Sequence, residues 1–209
     1  MRILPFLSLL TFFLAACSAA VVDPPSASPA SSPTPSTAAN DSEFIRTSCE
    51  TTLYPELCYH SLAGYANAVQ QDPGRLARVA IGVSLSRAAR MTIYLANVSR
   101  QVDYSADHRA AVALHDCFTV FGDAVDQIRG SLKQMRKLTG TGEELRFQMS
   151  NVQTWMSAAL TNEDTCVDGF QDVADGPVKM DVCDRTVKVK EVTSNALALV
   201  NSYAKVMVP

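Results

Sequence analysis

The sequence predicts an all-α protein, an up-down-up-down four-helix bundle preceded by an N-terminal helical hairpin. Apolar residues recur at spacings of three and four along several long segments, which is the repeat of one helix face rather than of a strand. Glycine is scarce, at nine of 209 residues. Short breaks containing Gly, Pro or Asp separate the long segments, and short connections favour antiparallel neighbours.

Residues 1–20 have the composition of a secretory signal peptide. Arg2 gives a positive start, the stretch 3–16 is almost wholly apolar, and small residues follow it. This apolar stretch is shorter than the ~20 residues that a membrane-spanning helix needs. The sequence therefore predicts a secreted protein that has no membrane attachment after cleavage. The alternative is a bacterial lipoprotein box at Leu14–Cys17, which would place a lipid on Cys17.

Residues 21–41 are predicted to form a linker, and residues 42–209 a single domain. Five of the twenty residues from Val21 to Asn40 are proline, and most of the others are Ser, Ala or Thr. Such a segment cannot bury enough apolar surface to fold. Asn40 and Asn97 each begin an Asn-x-Ser triplet, so both are candidate glycosylation sites in a secreted chain.

A short helical hairpin is predicted between the linker and the bundle, in residues 43–68. Cys49 and Cys58 lie in this segment, and Pro55 between them prevents one continuous helix. We expect a disulfide between Cys49 and Cys58 to bridge the turn.

Four longer segments are predicted to be the bundle helices. They are Leu76–Val98, Leu114–Met135, Leu145–Ala159 and Val189–Val206. In the first segment, the spacing of the apolar residues follows the helical repeat less regularly than in the others. These residues are Leu76, Val79, Val83, Leu85, Ala89 and Leu95. Thr141 and Glu144 have the spacing of a capping box at the start of the third helix. The predicted breaks are Asp72–Gly74, Asp103–Ser105, Thr139–Gly142 and Asp175–Pro177.

A second disulfide is expected between Cys117 and Cys166, which lie in the second and third bundle helices. Cys183 would then be a free thiol. The residues alone leave the pairing open, because five choices of the unpaired cysteine and three pairings of the rest give fifteen arrangements.

The motifs argue against an enzyme. Only three histidines are present. His115, Asp116 and Cys117 suggest a nucleophile beside a base, but residues two apart on a helix do not face each other and Cys117 lies on the core stripe. Phosphate loops, nucleophile elbows and paired metal-binding histidines are absent from the sequence. A net charge of −3 argues against a nucleic-acid binder. We predict a binding protein with no catalytic residue, metal or cofactor.

Charge is unevenly distributed along the chain. Arg75–Arg100 contains five arginines and no acid, whereas Glu163–Asp184 contains seven acids and only one lysine. Each run is either an ordinary solvated helix face or a surface for a partner of opposite charge, where complementarity would steer the encounter.

Three stretches of the sequence resemble the plant invertase and pectin methylesterase inhibitor family. They are Cys49–Cys58, Ala113–Cys117 continuing through Asp123 and Asp126, and Asn151–Phe170. The resemblance covers residues 43–206. It implies a four-helix bundle with an N-terminal hairpin, disulfides that join the first cysteine to the second and the third to the fourth, and a free fifth cysteine. It also implies secretion to the apoplast, the cell-wall space.

The resemblance implies an inhibitor of pectin methylesterase that forms a 1:1 complex over the substrate cleft, mainly through the second and third bundle helices. The alternative target is an acid invertase of the cell wall or vacuole. The run 153–161 is typical of the esterase inhibitors, and the Pro-Lys-Phe motif of many invertase inhibitors is absent. We therefore favour the esterase.

Candidate contact residues are the polar ones opposite the core stripes of these two helices. Thr165, just before the fourth family cysteine, is a recurring contact in the esterase inhibitors. Trp155 is expected to pack rather than to contact a partner. The candidates are Thr165, Asn162, Ser157, Gln153, Asp116, Asp123 and Gln127. A second alternative is a wall module without an enzyme target that binds pectin through Arg78, Arg87 and Arg90 of the first bundle helix.

Overall fold

A computed structural model describes residues 35–101 and 107–207, and in these ranges the protein is helical with no strand. The helices are α1 (Pro35–Cys49), α2 (Pro55–Leu62), a short 3-10 turn (Ala63–Tyr65), α3 (Ala66–Val69), α4 (Pro73–Ser99), α5 (His108–Met135), α6 (Gly142–Asp168) and α7 (Pro177–Met207). The predicted signal peptide, residues 21–34 of the predicted linker, the alternative lipid site and the predicted break at Asp103–Ser105 lie outside the described residues.

The four long helices form the predicted up-down-up-down bundle, in which α4 and α6 each pack against both α5 and α7. Side-chain bonds between α4 and α7 show that these helices are antiparallel. Ser84 bonds to Thr193 with 2.8 Å between the hydroxyl oxygens, and Tyr94, further along α4, donates to Asp181, further back on α7. The all-α fold class is thus confirmed, and its four helices form the scaffold for any surface site.

The core stripes of α5 and α6 are buried as predicted, with Phe121, Ile128 and Met156 inaccessible to solvent. The prediction for α4 is partly wrong. Its buried residues are Leu76, Ala77, Ala80, Ile81, Ser84, Ala88, Met91 and Leu95, whereas the predicted Val79, Val83, Leu85 and Ala89 are only half-buried. Four of the eight buried residues are Ala or Ser, which hydrophobicity marks weakly, so the stripe that includes Ile81 and Met91 is hard to distinguish from the apolar residues beside it.

The last turn of α7 also differs from the prediction. Val206 is 69% exposed, and Tyr203 is half-buried because its ring lies over the start of α4. A Cβ at Gly74 would stand 2.9 Å from this ring. Glycine at position 74 therefore permits the close approach of the two helix ends.

The starts of α4 and α5 are capped by aspartates. Asp72 accepts from the Arg75 backbone N–H at 2.6 Å, and Asp107 accepts from the Ala110 N–H at 3.0 Å. Such caps satisfy backbone donors that a helix leaves unpaired at its first turn. The predicted capping box at the start of α6 is wrong. The Thr141 side chain makes no capping bond, and the Glu144 carboxylate instead accepts from Gln148.

The N-terminal hairpin has the predicted disulfide, with 5.6 Å between the Cα atoms of Cys49 and Cys58. Asn195 of α7 attaches this hairpin to the bundle. Its amide accepts from the Tyr54 N–H at 3.1 Å and donates to the Tyr54 carbonyl at 2.9 Å. Helix α1 begins at Pro35, so residues 35–41 are helical although their composition predicts extended linker.

Candidate functional site

Helices α5 and α6 are joined by the second predicted disulfide. The Cα atoms of Cys117 and Cys166 are 4.4 Å apart, and both residues are buried. Further along the same pair of helices, the Ser131 hydroxyl donates to the Val152 carbonyl at 3.3 Å. A covalent bond and a buried hydrogen bond therefore hold the two helices in one register.

The outward side of this helix pair presents several polar side chains. On α5, Asp116, Asp123 and Gln127 are seven and four residues apart, so they share one face. On α6, Asn162 and Thr165 are three residues apart and share a face for the same reason. The Asn162 amide donates to the Gln127 side-chain oxygen at 3.0 Å and joins the two faces. We call these five residues the α5–α6 surface.

Thr165 is exposed, and its hydroxyl is already oriented by its own helix. The hydroxyl donates to the Thr161 carbonyl at 2.9 Å. Because its only hydrogen is used in this bond, the oxygen faces solvent as an acceptor. A partner that binds here would therefore supply a donor.

Two of the candidate contacts lie away from this surface, towards α7. The Gln153 amide donates to Asn201 of α7 at 2.9 Å. Ser157 follows Gln153 by one turn on α6 and is exposed, and its carbonyl accepts from the Thr161 hydroxyl at 3.1 Å. The structure therefore brings five of the seven candidates together and places these two on a neighbouring face.

Trp155 contributes to the surface although the sequence interpretation assigned it to packing. The residue is 36% exposed, and its ring lies 3.4 Å from the position that a Cβ at Gly130 would take. Trp155 is seven residues before Asn162, which places it on the same face of α6. Gly130 is the residue in the sequence that could have indicated this position of Trp155. Because it has no side chain, it leaves space on α5 for the ring.

A buried carboxyl lies on the inner side of α6. Glu163 is inaccessible to solvent, and one of its oxygens accepts from the Thr193 hydroxyl at 2.9 Å. Thr193 in turn bonds to Ser84. The other Glu163 oxygen is buried without a hydrogen-bond partner among the described residues. Burial, as the main cause, raises the pKa of Glu163 to about 8, because an apolar environment disfavours the charged form.

The acidic run in residues 163–184 is not an unopposed surface. Glu163 is buried within it. Asp164 pairs with Lys190 at 2.5 Å and Asp181 with Arg185 at 2.9 Å. The run is therefore only partly neutralised, since Asp168, Asp172 and Asp184 are exposed and form no ion pair among the described residues.

The arginines of α4 lie in two separate grooves. Arg75 and Arg78 line one together with Arg136 of α5. Arg87 and Arg90 line the other, which lies between α4 and α7. Arg78, Arg87 and Arg90 therefore do not form one site, as the sequence alone suggested they could.

The remaining candidates are placed as follows. Asn40 and Asn97 are exposed, which is the accessibility that glycosylation requires, and their modification stays a prediction. Cys183 is a half-buried free thiol, and burial raises its pKa. Cys117 cannot act as a nucleophile because it is in a disulfide.

Within 35–101 and 107–207, no three His, Cys, Asp or Glu side chains are grouped as metal ligands. Over the described helices, none combines the length and apolar character required to cross a bilayer.

The structure thus defines an all-helical protein in which two disulfides stabilise the hairpin and the bundle. A family model described as plant invertase/pectin methylesterase inhibitor matches residues 43–199. The chain belongs to this family, which comprises inhibitors rather than enzymes.

Curated relatives agree with this assignment. The chain is 42% identical over 179 residues to pectinesterase inhibitor 9 of Arabidopsis thaliana. The aligned region covers 84% of this chain and 87% of that protein. The chain is 42% identical over 169 residues to the 21 kDa protein of Daucus carota, at 80% and 86% coverage. Pectinesterase inhibitor 11 of Arabidopsis thaliana is 40% identical over 199 residues, at 93% and 96% coverage.

A solved structure supports the fold. The crystal structure of a mutant form of a pectin methylesterase inhibitor from Arabidopsis superimposes with a TM-score of 0.61 at 20% identity. The match covers 79% of this chain and 97% of that one.

Proposed function

We propose that this protein inhibits pectin methylesterase by forming a 1:1 complex that covers the esterase's substrate cleft, and so regulates the de-esterification of cell-wall pectin. The observation that carries the proposal is the similarity, at about 40% identity over most of the chain, to proteins named pectinesterase inhibitors. The polar surface on the paired helices supplies the contact area.

The α5–α6 surface is the part of the molecule that we assign to the esterase. Its helices are held in register by the Cys117–Cys166 disulfide and by the Asn162–Gln127 bond. A rigid surface loses little conformational freedom on binding, which favours affinity. Trp155, beside Gly130 at the end of this surface, supplies the kind of exposed aromatic residue that often dominates an interface.

The contacts would have a defined chemistry. Thr165 offers an oriented acceptor, and Asp116 and Asp123 offer exposed carboxylates on α5. Inhibition then needs no chemical step on this chain, because a protein seated over the cleft excludes the polysaccharide. Gln153 and Ser157 would contact the esterase only if its surface extends towards α7.

The compartment in which this protein would act is the one that contains the esterase. A secreted chain with a cleaved leader at residues 1–20 would meet the esterase in the apoplast. Glycosylation at Asn40 or Asn97 would leave the α5–α6 surface free, since Asn97 lies on α4 and Asn40 on α1.

An assay of two enzymes in parallel tests the target. Purified protein is added to a plant pectin methylesterase acting on methylated pectin at mildly acidic pH, and to an acid invertase acting on sucrose. We expect the esterase to lose activity at a 1:1 ratio while the invertase is unaffected. Inhibition of the invertase with an unaffected esterase would reverse the assignment, since the family description names both enzymes.

A further inference from the structure

We propose that the groove between α4 and α7 binds a linear polyuronate, a sugar chain that carries free carboxylates, independently of the α5–α6 surface. This choice of ligand rests on the proposed function, because the product of a pectin methylesterase is such a chain. The groove has a volume of about 250 Å³ and is lined by four cations, Arg87, Arg90, Arg185 and Lys188. Because α4 and α7 lie on the side of the bundle opposite α5 and α6, both surfaces can be occupied together.

The cations are arranged in two pairs across the groove. The Ser84–Thr193 and Tyr94–Asp181 bonds define the antiparallel register of α4 and α7. In this register Arg87 lies across from Lys188, and Arg90 across from Arg185. On each helix the two cations are three residues apart, which is ~4.5 Å along the axis. The groove therefore offers successive positive positions to a chain that carries repeated negative charges.

Most of this charge is available to a ligand. Arg185 is paired with Asp181 at 2.9 Å and lies over the Tyr94 ring at 4.4 Å. Among the described residues, no carboxylate lies within ion-pair distance of Arg87, Arg90 or Lys188. All three are exposed, on a chain whose net charge is −3. Guanidinium groups bind carboxylates through paired hydrogen bonds, which gives both strength and geometry.

The rest of the lining suits a sugar better than a bare inorganic anion. Met91, Val189 and the Tyr94 ring provide apolar surface between the cations. Sugar rings carry apolar C–H faces between their polar groups, so a uronate can pack against this lining while its carboxylate meets a cation. Tyr94 remains neutral at the pH of such binding, because burial and its bond to Asp181 raise its pKa to about 12.

The chemistry of the esterase gives the groove a selective ligand. Each turnover converts an uncharged methyl ester of pectin into a carboxylate, so the polyanion is the product and not the substrate. A groove that needs carboxylates would hold the inhibitor on wall regions where the esterase has already acted. The inhibitor would then be concentrated beside the enzyme that it regulates.

The test is co-sedimentation and calorimetry with polygalacturonate, with no esterase present. The groove variant R87Q/R90Q/K188Q is compared with the control variant R75Q/R78Q/R136Q, which removes the same charge from the other groove. We expect wild type and control to bind polygalacturonate in a salt-sensitive manner, and the groove variant to bind at least tenfold more weakly. Fully methyl-esterified pectin should bind to none of the three.

Several outcomes would overturn the proposal. Equal losses in the two variants would mean that only net charge matters. Equally tight binding of polyphosphate would remove the preference for a sugar, and binding of methylated pectin would remove the need for carboxylates. Thermal unfolding verifies that the variants are folded, and K188Q alone replaces the triple variant if that one is unfolded. Esterase inhibition is measured separately, so its presence or absence bears on the proposed function and not on the groove.

Discussion

Replacing Cys117 and Cys166 together by alanine is expected to lower the free energy of unfolding by about 4 kcal/mol. The disulfide joins residues 49 apart in the chain, and a ring of that size restricts the unfolded chain by about this amount. For a domain of this size the melting temperature should fall by roughly 8–16 °C. Urea unfolding without reductant measures the difference. Because the bond joins the two helices of the α5–α6 surface, inhibition should weaken even well below the melting temperature.

The hairpin disulfide provides the control for this prediction. Cys49 and Cys58 are only 9 residues apart, so replacing both by alanine should cost less, about 2–3 kcal/mol. That variant should retain inhibition in proportion to its folded fraction, because the bond lies outside the α5–α6 surface. If both variants lost inhibition equally while folded, the long disulfide would have no special part in positioning the surface.

Replacing Glu163 by glutamine is expected to stabilise the protein at neutral and alkaline pH. Burial raises the pKa of Glu163 from 4.5 to about 8 in the folded state. Between these two values the folded state holds a proton that the unfolded state has lost, so stability falls as pH rises. At about 1.4 kcal/mol per pKa unit, this group alone removes about 3–4 kcal/mol between pH 5 and pH 8.

Unfolding in urea at pH 5 and at pH 8 measures this effect. The wild type should lose stability over this interval, and Glu163→Gln should lose much less, because the amide cannot ionise. Glu143→Gln, at an exposed position at the start of α6, controls for the removal of one carboxylate and should behave as the wild type. A wild-type stability that rises from pH 5 to pH 8, or an identical fall in Glu163→Gln, would refute the assignment.

The fold was predictable because its main signals are local. The stripe around Phe121 and Ile128 has helical spacing, and Asp72 followed by Pro73 marks a helix start. Where a signal was weak the prediction failed. Half of the buried stripe of α4 is Ala and Ser, and the burial of these residues is decided by neighbouring helices rather than by their own hydrophobicity.

The site was less predictable, because helix periodicity gives the face of a residue but not the neighbour that the face meets. Helix periodicity gives Gln153 and Asn162 alike as outward and polar, yet Gln153 bonds to Asn201 on α7. Glu163 belongs by composition to an acidic run, and only the packing of α6 on α7 shows that it is buried beside Thr193. The second pair of cations in the α4–α7 groove comes from α7, more than ninety residues after Arg90.

The measurement that tests the central claim most directly is the inhibition constant of two matched variants against a plant pectin methylesterase. Thr165→Arg and Ser202→Arg each place a large cation at an exposed hydroxyl residue, one on the α5–α6 surface and one on α7. We expect Thr165→Arg to raise the inhibition constant roughly 30-fold or more, as the loss of ~2 kcal/mol at an interface hot spot would. Ser202→Arg should inhibit as the wild type does, and both should melt normally. Wild-type inhibition by Thr165→Arg would show that the α5–α6 surface does not contact the esterase.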